Sequence, residues 1–189
     1  NETADARDVR QHHRLHLDAY QLCRALDPTR PVNDASGYLH VRTDLWTVHN
    51  YEQSPAKLKE ALTPKPDAGV WRNIPDKEAP YEGQPYLVDE FGGIKWIPES
   101  RRAWAPDSWG YGDAPRTMDE FYSRLEGLVD AILGQKHISG YCYTQLTDVE
   151  QEQNGIYNYD RTAKFDMKRI AAIFRKGGGV EERGSGVAE

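Results

Sequence analysis

Cysteine is scarce: the 189 residues contain two, Cys23 and Cys142. Two such residues make no disulfide framework, and both lie in periodic segments that read as core. Long apolar runs are missing as well, and nothing approaches the roughly 20 residues of a membrane-spanning helix. Positive charge is in deficit. Lys and Arg number 24 against 30 Asp and Glu, a net charge of -6 that disfavours a nucleic-acid partner. No glycine-rich phosphate loop follows the first expected strand, so a nucleotide-binding fold has no support. Neither a Met nor a signal peptide opens the chain; Asn1-Glu2-Thr3 leads almost at once into a helix. That start implies a piece of a longer or processed chain and leaves the compartment unread.

What is present suits one globular domain of ordinary size, 38% hydrophobic and 29% charged. Aromatics are plentiful, with five Trp and eleven Tyr, many of them in expected loops. Loop aromatics suggest a surface for stacking on a flat ligand, a sugar ring among the candidates. The stretch Pro85-Tyr86-Leu87-Val88-Asp89-Glu90-Phe91-Gly92-Gly93 organises the rest. Its apolar run reads as a buried strand. Gly92 and Gly93 end it and leave room for something to approach the backbone. A carboxylate at the end of a buried strand is costly unless it is paired or used, and the carboxyl end of a parallel strand is where catalysis sits. An ion-paired or capping acid in a loop is the plainer alternative.

Taken in order, the first helix runs from about Asp5 to Leu26. Leu15, Ala19, Leu22 and Leu26 form its apolar face, widened by His16, Tyr20 and Cys23, and Asp27-Pro28 stops it. His12 and His16 have the i, i+4 spacing of a zinc pair. With no third ligand near, they read as a solvated or core-edge cluster. Strands are expected at Arg30–Asp34, Leu45–Tyr51 and Ile138–Tyr143 besides the central one. Ser54-Pro55 opens a helix as N-cap and first-turn proline. Residues 63–85 carry five prolines and form an unusually long irregular connection. Trp96, Trp104, Trp109 and Tyr111 follow in a punctuated loop. Thr117-Met118-Asp119-Glu120 is a capping box for a helix that buries Phe121, Leu125, Leu128, Val129, Ile132 and Leu133 and ends at Gly134. A loop with Asp148, Glu150 and Glu152 leads to a last helix that buries Met167, Ile170, Ala171 and Phe174. The Gly- and Glu-rich residues 177–189 read as a disordered tail. The alternation implies a parallel α/β sheet, and its four strands are expected adjacent and in chain order. A full (β/α)₈ barrel needs about 250 residues, so four strands amount to about half of one.

These residues carry a family resemblance. Tyr86–Gly93 resembles the nucleophile strand of glycoside hydrolase family 2, the β-galactosidase and β-glucuronidase group. Leu26-Asp27-Pro28-Thr29-Arg30-Pro31-Val32 is similar to that family's approach to the fifth barrel strand. Gly140–Asp148 with Asn154-Gly155 resembles the eighth strand and the loop beyond. Asn1-Glu2 is similar to the pair that ends the fourth. The resemblance covers Asn1 to about Lys176 and implies the fold class: a partial (β/α)₈ TIM barrel, strands 5–8 with their helices. Residues 1–176 are then the C-terminal half of a catalytic domain.

The resemblance implies a retaining β-glycosidase, of β-galactosidase type, with Glu90 as nucleophile and Glu2 as acid/base. It implies Asn1 on the sugar 2-hydroxyl, His49 and Tyr51 beside the nucleophile, and Tyr143 where many relatives carry a platform tryptophan. Trp96 would line the same pocket. No cofactor and no metal ion is called for. Asp89 reads as structural, because successive strand residues point to opposite sides. The expected partners are a carbohydrate and the N-terminal half of the parent enzyme, without which the isolated chain would be inactive or nearly so. Two open sheet edges invite pairing with another copy, a homo-oligomer. On the inner face, part of the apolar surface of Val32, Val48, Val88 and Cys142 is expected to be exposed. The alternative function is a non-catalytic carbohydrate-binding or interaction module with the same fold.

Overall fold

Strands and helices alternate along residues 9–104 and 106–176, the part described in the computed structural model. The order is α1 (Val9–Leu26), β1 (Trp46–Asn50), α2 (Pro55–Leu62), β2 (Tyr86–Gly92), α3 (Met118–Leu133), β3 (Ile138–Thr144) and α4 (Met167–Arg175). The three strands pair in parallel and in chain order, β1-β2-β3. The expected disordered tail, 177–189, lies outside the described residues.

One face of the sheet makes the core. Trp46, Val48, Tyr86, Val88 and Phe91 are fully buried against the helices. α3 supplies Phe121, Leu125, Leu128, Val129 and Ile132, each such side chain contributing about 1.5–3 kcal/mol by leaving water. The start of α3 is held by its expected box: Glu120 N–H donates to Thr117 Oγ1 (3.1 Å), while the Glu120 carboxylate accepts from Arg116 N–H (2.8 Å). α2 begins at the Ser54 cap with Pro55 in its first turn and buries Leu58 and Leu62. α4 is capped by Asp166 and buries Ile170 and Ile173, leaving Met167 and Phe174 partly covered.

Several expectations are corrected. Arg30–Asp34 forms no strand. Its backbone groups bond side chains and one isolated amide instead: Val32 N–H donates to Asp44 Oδ2 (2.8 Å), and Asp44 N–H donates to Val32 O (2.8 Å). The leucine stripe of α1 is not its buried face. Leu15, Leu22 and Leu26 are 62%, 59% and 77% exposed, while His12 and His16 are buried. Polar contacts choose the docking face: His16 Nδ1 lies 3.6 Å from Asp34, and Tyr20 O–H donates to Asp44 Oδ1 (2.6 Å). Both cysteines are exposed, Cys142 because odd and even positions of β3 face opposite ways. Of the inner-face residues named, Val48 and Val88 are fully covered by the helices. Among the described residues no helix is long and apolar enough to cross a membrane.

Candidate active site

β2 carries one residue more than β1 between the pairs Val48–Val88 and His49–Glu90. The extra residue is Asp89, a bulge. Alternation would send Asp89 and Glu90 to opposite sides; the bulge brings both to His49. His49 Nδ1 lies 3.2 Å from Glu90 Oε2, and Nε2 lies 3.5 Å from Asp89 Oδ1. The Tyr51 hydroxyl, from the turn just beyond β1, donates to the same Glu90 Oε2. Burial, and then the bond to Glu90, pushes the Tyr51 phenol well above its ordinary range, so it stays a donor. Burial likewise raises the Asp89 carboxyl, against the opposing pull of the Ser36 hydroxyl and His49.

The two glycines after the carboxylates make room for rings. Gly92 and Gly93 have φ of +83° and +59°, and a Cβ there would collide with Tyr143 and Tyr111 respectively. Tyr111 stacks on Tyr51 with centroids 3.5 Å apart and planes 6° from parallel, and Trp109 meets Tyr111 edge-on at 5.8 Å. Tyr51, Trp109 and Tyr111, with Tyr38, Thr144, Gln145 and Glu152, surround a cleft of about 280 Å³ that opens onto Glu90 and His49. The loop bearing Glu152 is tied in place. Gln153 N–H donates to Trp109 O (2.9 Å), and buried Lys164 bonds Asp148 (2.5 Å) and Trp96 O (2.9 Å).

The segment between α1 and β1 closes the other wall. Asp34 accepts from His40 Nδ1 (2.7 Å) and from the amides of Val41 (2.6 Å) and Arg42 (2.9 Å). Burial opposes its charge, yet these donors win and hold its carboxyl below the usual range. Burial also opposes His40, but Asp34 outweighs it and raises the imidazole. The loop so folded brings Ser36 to Asp89 (2.8 Å) and to His49 Nε2 (3.1 Å). Gly37, at φ +63°, passes so close to the His49 ring that a Cβ would overlap it.

Glu90, His49 and Tyr51 are thus brought together. Tyr143 is not in this cleft: its ring packs edge-on against Phe91, and its hydroxyl donates to Asn154 O (3.2 Å) and accepts from Ile94 N–H (3.2 Å). Trp96 sits farther off, near Phe121 and Phe165. Asn1 and Glu2 lie outside the described residues. Ser36, Tyr38 and Asp89 were not read as site residues. The adjacent Ser36-Gly37 was the one local signal, since a glycine marks a close approach. The His12 and His16 rings are 4.3 Å apart, and among the described residues no group of three His, Cys, Asp or Glu is placed to hold a metal ion.

No protein-family model and no curated protein sequence matches the chain. Solved structures do. The β-D-glucuronidase of Dictyoglomus thermophilum is similar over 95% of this chain and 31% of its own, at 15% identity and a TM-score of 0.60. The β-glucuronidase of Bifidobacterium dentium, complexed with coumarin-3-O-glucuronide, matches 93% of this chain and 28% of its own, at 17% identity and 0.58. A GH2 β-galacturonidase from Eisenbergiella tayi, bound to galacturonate, matches 91% and 32%, at 15% and 0.56. The chain therefore spans about a third of the length of these structures and shares with that part of them a glycoside-hydrolase fold.

Proposed function

We propose that the chain is the C-terminal half of the catalytic domain of a retaining β-glycosidase, with Glu90 as nucleophile. β1, β2 and β3 would be the sixth, seventh and eighth strands of a (β/α)₈ barrel, with the 30–34 segment in the place of the fifth. The observation that carries the reading is the convergence on Glu90: a carboxylate at the carboxyl end of the middle strand, with Tyr51 and His49 on one oxygen and an aromatic cleft in front. Donors on one carboxylate oxygen favour the charged form and fix its direction, as a nucleophile needs. Glu2 is the proposed acid/base and Asn1 the partner of the sugar 2-hydroxyl. A retaining enzyme places its two carboxyl groups about 5–5.5 Å apart.

Among the described residues, those lining the cleft include Glu90 and Glu152 but neither Lys nor Arg. An uronate would meet two carboxylates there, with His49 as the one lining group able to carry positive charge. A neutral sugar suits the lining, which favours a β-galactoside or a related neutral β-glycoside. The remainder of the domain is the proposed partner, and the isolated chain is expected to be inactive or nearly so.

The test uses the intact protein that carries this chain. Glu90→Gln should abolish turnover of aryl β-galactosides, because no covalent intermediate forms. Glu2→Gln should still be glycosylated by substrates with good leaving groups, and azide should rescue the second step as a β-glycosyl azide. Substantial activity in Glu90→Gln, or a Glu2 variant indifferent to leaving group and azide, would overturn the assignment of these two residues, and no turnover by the intact protein would favour a carbohydrate-binding module. Faster hydrolysis of aryl glucuronides than of galactosides would overturn the neutral-sugar assignment.

A further inference from the structure

We propose that Asp89, Ser36 and His49 form a positioning relay behind Glu90, in which Asp89, fixed by the Ser36 hydroxyl, holds His49 as an imidazolium that keeps Glu90 ionised and aimed into the cleft. The proposal rests on the reading of Glu90 as the nucleophile.

Counting protons leads to it. The Ser36 hydroxyl has one proton, and it donates that proton to Asp89 Oδ2 at 2.8 Å. Toward His49 Nε2, 3.1 Å away, Ser36 Oγ is then an acceptor, so Nε2 carries hydrogen. On the other side of the ring, Nδ1 faces Glu90 Oε2 at 3.2 Å. With Glu90 ionised, as its reading as the nucleophile requires, Nδ1 carries hydrogen as well. Both nitrogens protonated make the ring a cation. Its compensating charge is at hand: Asp89 Oδ1 is buried, and His49 Nε2 lies 3.5 Å from it. A buried carboxylate oxygen of that kind needs a positive neighbour.

The ring is also held mechanically. Gly37 leaves it space, Tyr38 meets its face edge-on at 5.2 Å, and the Asn73 amide pairs with the His49 backbone on both sides (3.1 Å each). The other titratable groups around the relay come from every neighbouring element. Tyr51 reaches Glu90 from beyond β1, and Tyr111 stacks behind it. Glu152 lines the cleft from the loop after β3. Cys142 stands on β3, its thiol raised by burial and then by the charges of Asp89 and Glu90. Of these groups, His49 is the one that can offset two carboxylates. A bulge that places Asp89 beside Glu90 would otherwise set two like charges together, which works against ionising either.

The test follows covalent trapping in the intact protein by a 2-deoxy-2-fluoro-β-galactoside with a dinitrophenolate leaving group. Glu90 displaces the dinitrophenolate, and the adduct is read by peptide mass. The rate of trapping against pH reports when the nucleophile is ionised. Asp89→Asn keeps the shape and an acceptor for Ser36 but removes the charge. Its acid limb should move to higher pH by about half a unit to one unit, with the urea midpoint of unfolding little changed. Ser36→Ala should shift the limb in the same direction, and Ser36→Thr should restore it. If wild type is trapped at Glu90 but both Asp89→Asn and Ser36→Ala keep its limb, the relay is wrong and the nucleophile stands. If wild type forms no adduct at Glu90, both fall.

Discussion

Replacing Tyr51 with phenylalanine removes one of the two donors on Glu90 Oε2 while leaving the ring in its stack on Tyr111. The consequence depends on where charge goes. In the first step of the proposed mechanism Glu90 attacks and loses negative charge, so a donor that holds the free carboxylate does little to speed attack. In the second step the ester breaks and charge returns to Glu90, and the Tyr51 hydroxyl then stabilises the departing carboxylate. A hydrogen bond to a charged group contributes about 1.5–3 kcal/mol. With about half the charge developed in the transition state, roughly 0.8–1.5 kcal/mol is lost, about four- to twelvefold in rate. For a dinitrophenyl galactoside, kcat should therefore fall by that factor, KM should fall with it, and kcat/KM should change by less than about threefold. Rapid mixing should show a burst of dinitrophenolate equal to the enzyme concentration as the glycosyl-enzyme accumulates. A kcat/KM that falls as far as kcat, with no burst, would mean that Tyr51 aims Glu90 for attack and that this charge argument is wrong.

The Asp34–His40 pair, buried under the wall that bears Ser36, makes stability depend on pH at both ends. Asp34 is depressed in the fold, so its contribution is present above the ordinary carboxylate range and lost as pH falls through its folded value; His40 is raised, so its contribution is present below the ordinary imidazole range and lost as pH rises through its folded value. Urea midpoints should be highest between those limits, and Asp34→Asn should cost about 3–5 kcal/mol there and flatten the profile; an equally peaked profile in the variant would refute the assignment. The chain should also self-associate, through the exposed leucines of α1 and the apolar groove of about 790 Å³ along β3, where Leu146 is 69% exposed. Light scattering after size exclusion that shows a monomer at every concentration would mean these surfaces are tolerated as they stand.

The central strand and α3 were legible because their signals are local. Tyr86-Leu87-Val88 is apolar on its own evidence, and Thr117 with Glu120 marks a helix start without help from the rest of the fold. α1 was legible as a helix but not in its orientation. Periodicity finds the leucine stripe; it does not say that Asp34 and Asp44 wait on the other side for His16 and Tyr20. Arg30–Asp34 failed for a related reason. Val32 between Pro31 and Asn33 fits a strand by propensity, but a strand also needs a run of partner backbone, and there Asp44 answers with its carboxylate on Val32 N–H and a single backbone amide on Val32 O. The aromatic loop was legible as stacking material; that Tyr111 would choose Tyr51 depended on Gly93, whose missing Cβ admits both rings.

The bulge at Asp89 sets the limit on reading the site from sequence. Strand alternation is a rule about one chain in regular pairing, whereas a bulge belongs to the pair: it exists because β1 offers His49 where β2 offers both Asp89 and Glu90. Nothing in Val88-Asp89-Glu90-Phe91 alone distinguishes a regular strand with carboxylates on opposite faces from a bulged one with both on the same face. The core does discriminate. Val88 and Phe91 are both fully buried on the helix side, three positions apart, and period two cannot put both there. Counting inward from the two apolar residues leaves two polar ones between them, and both turn toward His49. Once the burial of both apolar residues is known, the spacing apolar-acid-acid-apolar places the two carboxylates together. The group between them is His49, 3.2 Å from Glu90 and 3.5 Å from Asp89.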